Sequence, residues 1–407
     1  MHTIHGIRFR LLSPLFLFLV LLIPGTPALA GDAAPAAAPK AKAANPARPV
    51  LTSEPCGGVD AYLARLEPTG QVAKHIFERT YRERARKVRD VAAVLKDLAA
   101  TGASWKAVQQ DFCDGRLDAV RTALAGAAAG DKSGDVLFAL GGVAYLARDY
   151  SAAAHAYAQA LALDQESPRF LEAVAEMHYL VDDYGLAASL FSKAWRSEEK
   201  LHGATAFAAE LAEWVGDTHL AAGDDAFAAQ VYTEAAAMYD QVLGTSSPES
   251  GTARAKIGTA LIGAGKLDDA ESALRAALSV FVKGYGPDNP LVAETLRSLG
   301  LVRDMRKEYK QAEELYASAL VSAANWYGLD SPDLAPYMAS IGAVRTRLGN
   351  YDSALEILRD ARASAVKLYG EKSPRIGEID ELIKQAKDAK ANAAKDAKDA
   401  KGDAAKQ

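Results

Sequence analysis

Residues 300–320 read GLVRDMRKEYKQAEELYASAL, and this stretch decides the fold because its small residues return along the chain at a fixed interval. Gly300, Ala312 and Ala319 each reappear 42 residues later, as Gly300 does at Gly342. The five sets that keep this interval are Gly216, Gly258, Gly300 and Gly342; Ala228, Ala270, Ala312 and Ala354; Ala235, Ala277, Ala319 and Ala361; Gly244, Gly286, Gly328 and Gly370; and Pro248, Pro290, Pro332 and Pro374. A period of this length predicts a solenoid, in which one supersecondary unit stacks on the next.

Within each period the residues resemble those of the tetratricopeptide repeat (TPR) family, whose unit of about 34 residues has small residues in both helices and a large one in the second. The first two units keep that spacing, from Tyr150 to Tyr184. The later units have the longer interval and a Gly-Pro-Asp-Asn-Pro connector at 286–290, and they are similar to the kinesin light chain subclass. Six units are predicted from a small residue followed by a large one: Gly141 and Tyr157, Ala175 and Phe191, Gly216 and Tyr232, Gly258 and Leu274, Gly300 and Tyr316, Gly342 and Leu358.

The resemblance implies an all-α fold, a TPR-type α-solenoid whose helix pairs form a right-handed superhelix. It also implies a protein partner and no catalysis. Small residues let the paired helix backbones approach closely, and we expect the large residues to fill the gap between one unit and its neighbour. A proline starts each later unit, and the polar residue just before it is predicted to cap the helix. These caps are Ser247, Asn289, Ser331 and Ser373.

The N-terminus has the pattern of a secretory signal peptide over residues 1–30. Arg8 and Arg10 precede an apolar run of about 14 residues, which ends before the small residues Ala28-Leu29-Ala30. Such a run is too short for a membrane span, which needs about 20 residues, although an uncleaved anchor is the alternative. Residues 31–53 are rich in Ala, Pro and Lys and predict a disordered linker. We therefore expect an exported protein, periplasmic or secreted, with a bacterial envelope as the favoured location.

Three further segments complete the predicted organisation. Residues 54–130 predict a small helical N-terminal domain held by a disulfide between Cys56 and Cys113, the only two cysteines of the chain; two buried thiols are the alternative. Residues 131–384 would hold the six units and a capping helix. Residues 385–407 contain no apolar residue larger than alanine and predict a disordered tail, as a coil or a marginal helix, with a net charge of +3 counted from Lys384.

The sequence contains no motif that predicts catalysis, a cofactor or a metal site. Residues 258–266 weakly resemble a phosphate-binding loop, but Leu267 replaces the Ser or Thr that holds magnesium. After the predicted cleavage, no two of the remaining histidines have a metal-ligand spacing within one helix. The densest basic run, Arg79–Arg89, is interleaved with acidic residues. It favours a solvated helix face with i,i+4 ion pairs over contact with phosphate groups.

The resemblance also implies a partner-binding groove along the first helices of the units. Mapped onto this sequence, the groove would be acidic in the second and third units and mixed or basic in the fifth and sixth. Such a groove would suit a protein partner with a basic patch, whereas the alternative is that these are ordinary exposed charges. The predicted groove residues are Glu172, Glu176, Tyr179, Glu210, Glu213, Asp217, Arg297, Asp304 and Arg347.

We therefore expect a non-catalytic interaction scaffold of the cell envelope that binds a protein through its repeats. We expect no nucleic-acid partner and no membrane span after signal cleavage. Self-association stays open. One alternative is a structural envelope component whose cationic tail contacts anionic polymers while its repeats self-associate. The other is an enzyme with its site in the N-terminal helical domain.

Overall fold

The computed structural model describes residues 55–66, 79–130 and 133–404, which contain helices and no strand. The signal peptide and linker predicted for residues 1–53 lie outside this range. Among the described residues, every helix of 18 or more residues has too low a hydropathy or too many charges for a bilayer span. The helices are α1 (Val59–Leu66), α2 (Arg79–Ala99), α3 (Ala103–Cys113), α4 (Leu117–Gly130), α5 (Gly134–Leu146), α6 (Tyr150–Leu163), α7 (Pro168–Leu180), α8 (Tyr184–His202), α9 (Ala206–Ala221), α10 (Asp225–Leu243), α11 (Pro248–Gly263), α12 (Leu267–Tyr285), α13 (Pro290–Met305), α14 (Tyr309–Tyr327), α15 (Ala335–Arg347), α16 (Tyr351–Tyr369) and α17 (Pro374–Ala404).

The described residues divide into two compact bodies. The N-terminal body ends at Ala260 and the C-terminal body begins at Leu261. Each repeat consists of a first and a second helix. The repeats of the N-terminal body are α5/α6, α7/α8 and α9/α10, and those of the C-terminal body are α13/α14 and α15/α16. The chain passes from one body to the other within α11, the first helix of the fourth repeat. The all-α fold of TPR type that the sequence predicted is confirmed.

Close helix packing inside each repeat explains why one position is always small. A Cβ atom added at Gly216 would lie 2.4 Å from the ring of Tyr232, and one at Gly300 would lie 2.7 Å from the ring of Tyr316. Real Cβ atoms do not approach other atoms so closely, so only glycine fits here without a shift. The large residue thus packs on the glycine of its own repeat. Phe191 also stacks on Trp214 of the next repeat, as expected for a large residue that fills the gap between neighbours.

The loops between the later repeats stop one helix and start the next through local chemistry. Gly286 ends α12 with a φ of 81°, a conformation that favours glycine. The Asn289 side chain then accepts a hydrogen bond of 2.8 Å from the backbone N–H of Leu291. Each of the four predicted cap residues accepts such a bond, so the prediction is confirmed.

The N-terminal helices share one core with the first repeat. Val88, Val91 and Leu95 of α2 are buried in the same cluster as Val136 and Val143 of α5. The segment that was predicted as a separate domain, 54–130, is therefore continuous in its packing with α5, because the apolar stripe of α2 is wide enough to cover both neighbours.

A disulfide fixes the start of this N-terminal segment. It joins Cys56 to Cys113 at the end of α3, with Cα atoms 4.7 Å apart, and so confirms the predicted pairing. In the chain-entropy model, closing a loop of this length stabilises the fold by about 4 kcal/mol.

Helix α17 covers the last repeat and then continues. Ile376, Ile379, Ile383 and Ala386 are buried against α15 and α16, which confirms the predicted capping role. Of the two forms left open for the tail from residue 385, a coil or a marginal helix, the structure has a helix as far as Ala404. Alanine and lysine are strong helix formers, and adding residues to an existing helix costs far less than nucleating a new one.

The glycine contact can be tested with a matched pair of Gly→Ala substitutions in the N-terminal body. Gly216→Ala forces the Tyr232 ring to move, so we expect a loss of about 1–3 kcal/mol in the free energy of unfolding. Gly126→Ala places its methyl group in open space on α4, so we expect a gain of about 0.5–1 kcal/mol from helix propensity. Urea unfolding followed by circular dichroism measures both. Equal effects for the two variants would contradict the packing argument.

Candidate partner-binding groove

Helix α2 lies on the first helices of the first three repeats. It packs against α5 so closely that a Cβ atom on Gly142 would be 2.6 Å from Val91. Arg86 of α2 forms ion pairs with Glu172 of α7 and, at 2.7 Å, with Glu210 of α9. The acidic surface predicted for the second and third repeats is therefore covered by a basic helix of the same chain.

The predicted acidic residues of α7 are buried beneath α2. Glu172 and Glu176 are 2% and 0% exposed, and Lys87, also fully buried, places its Nζ 2.8 Å from Glu176 Oε2. The expectation that Glu172 and Glu176 line an open groove was wrong, because two carboxylates this deeply buried need cationic partners, which α2 supplies. Tyr179 of α7 is also buried, edge-on to Trp214.

The same contacts correct the interpretation of the basic run on α2. The sequence favours a solvated face for Arg79–Arg89, but in the structure Arg86 is mostly buried and Lys87 is completely buried. Lys87 Nζ also lies 5.3 Å from the centre of the Tyr157 ring, within cation–π range. The sequence did carry a signal for this position. Lys87 precedes Val91, Val94 and Leu98 by four, seven and eleven residues, which places it on the apolar face of the helix.

Two buried carboxylates, Glu172 and Glu176, share the cations Arg86 and Lys87, and their pKa values shift in opposite directions. Burial raises the pKa of Glu172 to about 7, against the opposing effect of Arg86 and Lys87. Burial alone would also raise the pKa of Glu176, but Lys87 and Arg86 outweigh it and lower that pKa. Burial alone would lower the pKa of Lys87, but Glu176 raises it above its ordinary value. Both cations of α2 therefore stay charged, and Glu172 is the group that takes up a proton.

The predicted groove residues of α9 are also neutralised within the chain. Lys256 of α11 places its Nζ 3.2 Å from Glu213 and 3.0 Å from Asp217, and all three side chains are buried. The Tyr232 hydroxyl donates a further hydrogen bond of 2.5 Å to Asp217. Neither carboxylate is available to a partner in this arrangement. Glu210 is the most exposed of the predicted acidic residues, at 40%, and it is already paired with Arg86.

In the C-terminal body, the predicted groove residues lie where α13 and α15 meet. Asp304 is buried and paired with Arg347, which is itself exposed. Burial raises the pKa of Asp304, while Arg347 opposes the shift. Arg297 donates a hydrogen bond of 3.3 Å to Ser340 Oγ and has no carboxylate partner among the described residues. Glu294 accepts a hydrogen bond of 2.7 Å from the Tyr337 hydroxyl.

Among the described residues, no group of three or more His, Cys, Asp or Glu side chains is arranged to hold a metal ion.

Residues 249–323 and 306–365 match the tetratricopeptide repeat family model. No curated protein matches the sequence significantly.

Several solved structures have similar helix arrangements. A tetratricopeptide repeat protein from Parabacteroides merdae is 13% identical and has a TM-score of 0.50, with 72% of this chain and 99% of that chain covered. BtubC from P. vanneervenii is 18% identical, with 56% and 92% covered and a TM-score of 0.46. A putative kinesin light chain of Podosopora anserina is 16% identical, with 51% and 100% covered and a TM-score of 0.43. At these identities the likeness concerns the fold alone.

The burial of Glu172 predicts a pH-dependent stability. Its pKa of about 7 in the folded protein lies above the ordinary value of about 4.3 expected after unfolding. Protonation of Glu172 therefore adds its full contribution to the free energy of unfolding below about pH 4.3. That contribution is lost as the pH rises through about 7. Glu172→Gln stays neutral, so we expect it to gain on the order of 2 kcal/mol relative to the wild type between pH 5 and 8.

Urea unfolding at pH 5, 6, 7 and 8 measures this difference in the free energy of unfolding. Glu249→Gln, which changes an exposed glutamate of α11 in the same body, is the control and should show a constant difference from the wild type. If Glu172→Gln also gave a constant difference, the carboxylate would be charged throughout and the description of the site would be wrong.

Proposed function

We propose that this protein is an exported, non-catalytic scaffold of the cell envelope that holds a protein partner on the first helices of its later repeats. The TPR-type fold supports a protein-binding role, because stacked helix pairs present a continuous surface of side chains from successive repeats. The observation that carries the choice of surface is the position of α2. It covers the first helices of the early repeats, where Arg86 and Lys87 neutralise Glu172 and Glu176.

The surface on α13 and α15, in the C-terminal body, suits a partner with an acidic and an apolar side chain. Arg297, Leu301 and Met305 are spaced four residues apart and so lie along one face of α13. Met305 is 47% exposed, and Arg297 has no carboxylate partner among the described residues. A partner carboxylate could pair with Arg297 while an apolar side chain packs on Met305. This replaces the hypothesis of a partner with a basic patch, which required open glutamates on α7 and α9.

The export part of the proposal rests on two independent features. The first thirty residues have the sequence pattern of a cleaved signal. The disulfide between Cys56 and Cys113 is the kind of bond that persists in oxidising compartments such as the periplasm. The absence of catalysis is proposed from the TPR resemblance and from the lack of a catalytic motif in the sequence.

Photo-crosslinking tests the proposed surface. A photoreactive amino acid at Met305 in the native envelope should crosslink one discrete protein, because the side chain is exposed on the proposed face. The same probe at Val321 of α14, which is 55% exposed, is the control and should not capture that protein. Adding Arg297→Glu should remove the Met305 crosslink. Arg297→Gln, which removes the charge without reversing it beside buried Glu294, should weaken it.

Two outcomes would contradict this assignment. One is capture of the same protein from Met305 and Val321 alike. The other is an unchanged Met305 crosslink in both Arg297 variants, provided that their circular dichroism spectra and thermal unfolding match those of the parent.

A second candidate function, contact with anionic polymers, is favoured by the length of α17. Lys384, Lys387 and Lys395 are exposed on this helix, beyond or beside the residues that cover the last repeat. Cationic side chains along a helix attract polyanions in a salt-dependent manner.

Truncation after Ala386 separates the two functions, because the buried residues of the cap stay in place. If the lysines contact polymers, the truncated protein should lose co-sedimentation with cell walls at low salt but keep the Met305 crosslink. Unchanged co-sedimentation would exclude this second function.

A further inference from the structure

A polar depression lies on α8, the second helix of the second repeat, away from the contacts that join α2 to α7 and α9. Its volume is about 450 Å³. Serine and basic side chains dominate its lining, which has one acidic residue. The lining residues are Glu166, Ser189, Ser192, Lys193, Arg196, Ser197 and Lys200.

One wall of the depression is fixed by the loop between α6 and α7. Lys193 Nζ donates a hydrogen bond of 2.8 Å to the carbonyl oxygen of Gln165 and lies 2.7 Å from the carboxylate of Glu166. The Ser197 hydroxyl donates a hydrogen bond of 2.6 Å to the carbonyl oxygen of Glu166. These contacts hold the loop against α8 and neutralise the one carboxylate in the lining. A ligand would therefore meet no uncompensated negative charge from Glu166.

The other four lining side chains keep their donors available. Ser189, Ser192, Arg196 and Lys200 make no side-chain hydrogen bond or ion pair with the residues that the structure describes. Ser192, Arg196 and Lys200 follow one another at four-residue steps, so their Cα atoms lie about 6 Å apart along one face of α8. The long side chains of Arg196 and Lys200 can turn toward each other over this distance. Together they present two uncompensated positive charges beside two hydroxyl donors.

We propose that this depression binds a phosphate group, held by Arg196 and Lys200 with hydrogen bonds from Ser192 and Ser189. The two positive charges match the charge of a phosphate dianion, whereas a carboxylate would neutralise only one of them. Arginine and lysine form strong charge-assisted hydrogen bonds with phosphate oxygens, and serine hydroxyls supply further donors. This site is independent of the proposed partner surface on α13 and α15. The phosphate can be a free ion or part of a lipid headgroup.

Isothermal titration calorimetry with inorganic phosphate at constant ionic strength tests the site in the full exported chain. We expect saturable binding with one phosphate per protein. Arg196→Gln combined with Lys200→Gln should weaken it at least about tenfold, because two charge-assisted contacts are lost. Ser192→Ala should weaken it by a smaller factor. The side chains of Arg196 and Lys200 are exposed, so the thermal unfolding of this double variant should match the wild type.

Lys283→Gln is the matched control. Lys283 lies six residues after Ala277, as Lys200 lies six residues after Ala194, so it occupies the same repeat position on α12. It is outside the depression, and phosphate binding should not change in this variant. Equal binding by the wild type and the double variant would overturn the proposal.

Vesicles of neutral lipid with and without phosphatidic acid distinguish the two sources of phosphate. Binding to phosphatidic acid vesicles that is lost in the double variant, with little affinity for inorganic phosphate, would support the site and assign it to a lipid headgroup. Binding of inorganic phosphate that the double variant loses would support it as a site for free phosphate. The proposal fails if neither probe binds, or if both bind regardless of the substitutions.

Discussion

The close approach of two helix backbones inside each repeat is the constraint on which the rest of the structure depends. Gly216 and Gly300 have no room for a Cβ atom, because the rings of Tyr232 and Tyr316 lie directly against them. This contact fixes how the second helix sits on the first. The same contact recurs at Gly141 and Gly342, so the first helices of these repeats present the same positions in the same order, and neighbouring repeats bring those positions together.

Pairing between successive repeats then decides which polar side chains remain available. Lys256 binds Glu213, Tyr337 binds Glu294 and Arg347 binds Asp304, and each of these pairs spans 43 residues, one more than the repeat interval. Most of these polar side chains on the first helices are therefore already paired with the next repeat and are not available to bind a partner protein. A charge on such a helix becomes a binding candidate only when the adjacent repeat supplies no opposite charge, as at Arg297, whose partner in α15 is the neutral hydroxyl of Ser340.

In the early repeats, helix α2 likewise pairs with charged side chains of the first helices. Its cations Arg86 and Lys87 cover the glutamates of α7, and its apolar side chains enter the core beside α5. Burying two cations and two glutamates is costly unless all are paired, so this arrangement ties α2 to one position rather than adding much net stability. The consequence for function is that the accessible first-helix surface lies in the later repeats. The outer face of α8 offers a separate surface, where Arg196 and Lys200 have no such partners among the described residues.

The sequence by itself determined the repeat interval, the helix pairs and the caps such as Asn289, because these depend on neighbouring residues or on a periodic pattern. It also predicted the pairing of Cys56 with Cys113, because these are the only two cysteines of the chain. It also carried a weak sign that Lys87 lies on an apolar helix face. Only the tertiary structure decided that Arg86 meets Glu172 and that the acidic groove is closed. These residues lie far apart in the chain, and the sequence does not distinguish a charged side chain exposed to water from one buried in an ion pair. The sequence pattern also did not fix where α17 ends. A lysine- and alanine-rich segment forms only a marginal helix by itself, and it becomes stable when it continues a helix that is already packed.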